Sequence, residues 1–111
     1  MNIFHEELQS RWGTFSIFEQ MANIGTEVGR ALRWKKKNNA KMSQNAFYRC
    51  LELIDFTIDD DKNRTSLKEL TRMRELLVDY FMGTNIYNSS DQGWDKYFYP
   101  FNFAARNQES L

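Results

Sequence analysis

The side chains able to do chemistry are few, and one of them is oddly placed. In "TRMRELLVDYFMG", residues 71–83, Arg74 sits among leucines, with Asp79 five residues on. Arg74 is a phosphate ligand by type, and Asp79 is a base only if desolvated. Ionised, Asp79 repels phosphate unless Arg74 neutralises it. On a straight helix the two point to different faces, so a shared reaction centre needs a second subunit.

Two further groups carry a chemical possibility. Glu52, Asp55, Glu75 and Asp79 could form paired carboxylate helices holding magnesium, but the E-E-x-x-E signature of such helices is absent, and the set reads as a solvated acidic face. "RALRWKKK", residues 30–37, is the one basic patch: Trp34 could stack on a base while Lys35, Lys36 and Lys37 bind phosphate. The same cations also complement the negative end of a helix dipole. RNA contact is therefore possible without being favoured.

Other chemistries lack their residues. His5 is the sole histidine, which excludes two-His and Cys/His zinc motifs and the Glu-x-x-His ligands of a diiron bundle. Cys50, the single cysteine, has no histidine to activate it and reads as a small hydrophobe. No metal and no cofactor is implied. Fifteen basic and fifteen acidic residues cancel, so no global field recruits nucleic acid or an anionic membrane. No run approaches the roughly 18 apolar residues of a membrane span. The first residues offer neither a cationic start nor an apolar signal stretch, and the chain reads as cytoplasmic with no membrane partner.

The elements that must position these groups are helical almost throughout. The 111 residues suit one domain, residues 1–111, with an N-terminal arm over 1–15 and a frayed tail over 107–111. A short helix over about residues 3–10 places Phe4 and Leu8 four apart, and "RWGTF" ends it. Ser16 and Glu19 form a capping box that opens a helix running to about Lys37. Ile17, Met21, Ile24, Val28 and Ala31 give it a core stripe, and Ala22, Gly25 and Gly29 suggest close approach by another helix. After the turn "NNA", a helix over 41–59 buries Met42, Ala46, Cys50, Leu53 and Thr57.

"DDDKNR" reads as a polar loop. Ser66 and Glu69 form a second capping box, opening a helix that Gly83 ends. A long loop follows. The last helix starts near Ser90 or Asp91 and sets Trp94, Phe98, Phe101 and Ala105 on one face, with Pro100 kinking or breaking it. "YFYPFNF" crowds more rings around Pro100 than a core face can take, which leaves some for a dimer or partner surface. The expected architecture is an all-α, up-and-down bundle of four main helices plus a short N-terminal one.

On the fourth of these five helices, Leu67, Leu70, Leu77, Val78 and Phe81 cluster within about a third of the circumference, and Arg74 falls inside that arc. A charge facing a core is costly unless paired, so Arg74 needs a carboxylate, a partner surface or an exposed groove. Glu27, flanking the stripe of the first long helix, is within plausible reach.

The stretch "RELLVDYF", residues 74–81, resembles the Arg-x4-His-x-Tyr helix of HEPN domains, small all-α proteins that include ribonuclease toxins and partners of minimal nucleotidyltransferases. Arg74 matches the arginine, Asp79 stands at the histidine position and Phe81 at the tyrosine position. The resemblance implies a homodimer in which two such helices line a cleft that binds nucleotide or RNA, and a possible nucleotidyltransferase partner. Without the imidazole, proton transfer at neutral pH loses its usual agent, and Phe81 lacks an acceptor hydroxyl. A noncatalytic HEPN-like interaction protein is expected, the alternative being a toxin-like, metal-independent endoribonuclease using Arg74 and Asp79.

Overall fold

The computed structural model describes residues 9–109, so Phe4, His5 and Leu8 lie outside the described residues. Four α-helices follow a 3-10 turn, Trp12–Thr14: α1 Ile17–Lys36, α2 Ala40–Asp59, α3 Leu67–Met82 and α4 Asp91–Glu109, with a second 3-10 segment, Asp61–Ser66, ahead of α3. No strand occurs among the described residues. The chain is an all-α bundle, as its periodicity requires.

The start of α1 follows its sequence signal closely. The Glu19 amide donates to Ser16 Oγ at 3.1 Å, and the Ser16 amide donates to Glu19 Oε1 at 3.0 Å. These satisfy amides that a helix start leaves without partners. Met21, Ile24, Val28 and Ala31 are buried as the stripe demands. In the turn, Asn38 adopts φ 58°, which asparagine tolerates, and Asn39 caps α2 by accepting the Met42 amide at 3.1 Å. The Ser43 hydroxyl then donates to the Ala31 carbonyl at 2.8 Å, stitching α2 to α1.

Packing places α1 between α2 and α4, and α2 also packs on α3. The small residues of α1 serve this at one point: a Cβ on Gly25 would lie 2.9 Å from Phe98 Cβ, so only glycine lets α4 sit this close. On α4, Trp94, Phe98 and Ala105 are buried and Phe101 is half-buried. Hydroxyls then join α4 to α3: Tyr97 donates to Glu69 Oε1 at 3.3 Å and Tyr80 donates to Asp91 Oδ1.

Three expectations are corrected, the first being the burial of Met42, which stays 38% exposed in the first turn of α2. The Ser66–Glu69 capping box does not form: residues 61–66 already wind as a 3-10 helix, and the Leu67 amide donates to the Arg64 carbonyl. Ser66 makes no side-chain cap, and Glu69 is left to accept Tyr97. Of the two outcomes expected at Pro100, a break does not occur: α4 runs on through it, and both Pro100 and Lys96, whose carbonyl loses the amide four residues on, are exposed to water. The third concerns "DDDKNR", which is no plain polar loop. Asn63, 4% exposed, donates to Gln20 Oε1 at 2.8 Å and to the Thr57 carbonyl at 3.0 Å. Gln20 reaches the Trp12 carbonyl and Asp60, while Trp12 Nε1 donates to Thr57 Oγ1. This satisfied buried network draws Trp12, from the stretch expected to be an arm, into the core.

Candidate functional site

The sequence singled out Arg74, and the structure gives it a partner inside the chain. Leu70, Met73 and Leu77 are the buried residues of α3, whereas Leu67 is exposed and Val78 and Phe81 are half-buried. The buried arc is therefore centred near Leu77, with Met73 on one side, and Arg74 lies beyond Leu70 at its other edge. Its Nε lies 2.8 Å from Asp55 Oδ1 and Nη2 lies 3.4 Å from Asp55 Oδ2, with the two side chains 38% and 52% exposed. Arg74 is thus a groove residue spanning α2 and α3, not a buried charge.

Glu27 does not meet it in a salt bridge. Burial holds Glu27 in the α1 stripe, where its Oε1 accepts Arg30 Nη1 at 2.8 Å on its own helix, and Oε2 has no hydrogen-bond partner in the described structure. Asp55, on the more open face of α2, meets the exposed guanidinium with less desolvation. Cys50 lies between these charges electrostatically: burial pushes its thiol up, Glu27 adds to the rise and Arg74 opposes it. It is a core residue and no nucleophile.

Asp79 has a different task. Its Oδ1 accepts the Ile86 amide at 3.0 Å and its Oδ2 accepts the Tyr87 amide at 3.1 Å. The carbonyl of the same residue accepts the Gly83 and Asn85 amides. Asp79 thereby folds the loop after α3 back onto the helix end. Glu75 accepts the Tyr87 hydroxyl at 2.8 Å and raises that phenol's pKa. With Asp55 on Arg74, three carboxylates of the acidic face, Asp55, Glu75 and Asp79, serve separate partners, and among the described residues no cluster of three metal-ligating side chains forms.

Phe81 and Lys35, far apart in sequence, meet in one cleft. The end of α1, the start of α2 and the last turns of α3 enclose about 440 Å3, walled by Lys35, Gln44, Phe47, Tyr80, Phe81 and Met82. Phe81 stacks on Phe47 at 4.7 Å between centroids, and Tyr80 meets Phe81 edge-on at 5.3 Å. Lys35 Nζ donates to Tyr80 Oη at 3.0 Å, lies 4.1 Å from the Tyr80 ring centroid and is 3.7 Å from Asp91 Oδ1. Burial alone would lower the Lys35 pKa, but its bonds to Tyr80 and its attraction to Asp91 outweigh this and raise it. Burial also raises the Tyr80 phenol, Asp91 adds to that, and Lys35 opposes it.

The rest of the basic patch lies outside the cleft. Lys37 Nζ sits 5.3 Å from the Trp34 ring centroid, so this indole, half-buried, already carries a cation over its ring. Lys36 is exposed.

Sequence reasoning missed Asp55 as the partner of Arg74, and Tyr80, Asp91 and Phe47 as cleft groups. Lys35 and Tyr80 are 45 residues apart, a pairing that periodicity within one helix cannot reveal. The available signal was weaker: Tyr80 follows Leu77 by three, the spacing of a half-buried helix position. Comparison with family models, curated proteins and solved structures finds no match.

Proposed function

We propose that the chain is a noncatalytic, HEPN-like helical interaction protein that works as a homodimer, with a minimal nucleotidyltransferase as the partner the resemblance implies. The observation that carries the noncatalytic part is the occupation of Asp79. Both carboxylate oxygens accept loop amides, so abstracting a proton would mean giving up two hydrogen bonds to an ionised acceptor. Arg74 is held by Asp55, on a different contact. The two motif residues support the fold separately.

Surface composition supports the interaction part. Tyr99 and Phe103, one turn apart on the outer side of α4, remain 68% and 58% exposed. Rings presented this way are typical of surfaces that another chain covers. Sedimentation of the purified chain across a wide concentration range tests this. A mass rising from monomer to dimer is expected, and a monomer at every concentration overturns the homodimer.

A further inference from the structure

We propose that the cleft between Lys35 and the Phe47–Phe81 pair binds a small aromatic monocarboxylate, with the carboxylate on Lys35 and the ring against Phe81 and Met82. The volume of about 440 Å3 falls in the range of small-molecule sites. Lys35 is the one charged residue in the lining, and its ion-pair partner Asp91 stands outside it. Its ammonium has three donors. One serves the Tyr80 hydroxyl at 3.0 Å, and the ion pair to Asp91 at 3.7 Å is longer than a hydrogen bond, which leaves donor capacity for a ligand oxygen.

The apolar wall fixes the rest of the ligand. Phe81 is half-buried over Phe47, and Met82 is 50% exposed at the rim, giving a flat ring one face to stack on and a flexible thioether to close over it. The exposed amide of Gln44 sits on the polar side. A single ammonium already shared with Asp91 matches one negative charge better than two, which favours a carboxylate over a phosphate dianion. Local charge agrees: Arg33, Lys35 and Lys36 end α1, and the first turn of α2 carries no acid. This inference goes beyond the interaction reading and stands or falls apart from it.

Calorimetric titration of the full chain with indole-3-acetate, and with its neutral amide as control, tests the assignment. Saturable one-to-one binding of the acid is expected, weakened at least about tenfold both for the neutral amide and for Lys35→Met. Gln44→Trp, which fills the cleft from an exposed position, abolishes binding. Asp91→Asn, which removes the competing anion, tightens it. The proposal is overturned if the wild-type chain shows no saturation, if the amide binds equally well, or if neither Lys35→Met nor Gln44→Trp changes affinity. Tighter binding of phenyl phosphate than of indole-3-acetate overturns the monocarboxylate assignment.

Discussion

Arg74 and Asp55 join α3 to α2 through an ion pair in which Nε lies 2.8 Å from Oδ1 and Nη2 lies 3.4 Å from Oδ2. Both side chains keep more than a third of their surface in water, so solvent screens the pair. Arg74→Met is expected to change stability by less than about 1 kcal/mol. A double-mutant cycle with Asp55→Ala, read by urea unfolding, should give a coupling of roughly 0.5 kcal/mol that shrinks in high salt. A coupling of several kcal/mol would mean that the pair is buried in solution.

Asp79 acts more strongly because its acceptor is ionised and both oxygens are used. Asp79→Ala should cost about 1–3 kcal/mol, and Asp79→Asn, which keeps one acceptor oxygen, less. Hydrogen exchange locates the effect: the Ile86 and Tyr87 amides lose protection while those of α2 keep theirs. Unchanged protection at both amides would contradict the role assigned to Asp79.

Much of the fold was legible because its signals are local. Ser16 and Glu19 lie within one turn of each other, and the Met21–Ala31 stripe repeats within one helix, so neither needs a partner to be recognised. Ser66 and Glu69 carried the same local signal and misled, because a 3-10 segment held by the buried Asn63 had already supplied the turn. The charged contacts were less legible. Arg74 was identifiable as needing a partner, yet the choice between Glu27 and Asp55 depends on how α2 rotates against α3. Lys35 and Phe81 were each visible as residues, but their shared cleft is a product of packing among three helices.

Gly25 should resist even alanine. A Cβ there would meet Phe98 Cβ at 2.9 Å, and since Phe98 is anchored in α4 the two helices must separate. Alanine gains about 1 kcal/mol of helix propensity, but overpacking costs about 1–3 kcal/mol. Net destabilisation of Gly25→Ala in thermal unfolding is expected. Gly29→Ala, whose Cβ would touch only the Arg33 guanidinium at 3.4 Å, should be stabilising instead. Equal effects at the two positions would count against the close approach of α4.

Alkaline pH should weaken the fold. The Tyr80 and Tyr97 phenols are raised above the ordinary 10.0, first by burial and then by Asp91 and Glu69 respectively, and Lys35 is raised above 10.5. Groups raised on folding contribute stability that is fully present below their unfolded pKa and is lost as pH rises through the folded value. Stability from these groups should therefore hold up to about pH 10 and fall above it. Chemical denaturation along a pH series checks this, and the alkaline loss should shrink in Tyr97→Phe. A loss of the same size in that variant would remove Tyr97 from the account.

The proposed function turns on Arg74 and Asp79 being engaged by Asp55 and by the loop amides, and on neither cutting RNA. Incubating purified protein with an unstructured RNA, beside Arg74→Ala of verified fold, tests it most directly. No cleavage above buffer is expected from either protein. Cleavage by the wild-type chain that disappears in Arg74→Ala would contradict the claim and restore the pair as a catalytic centre.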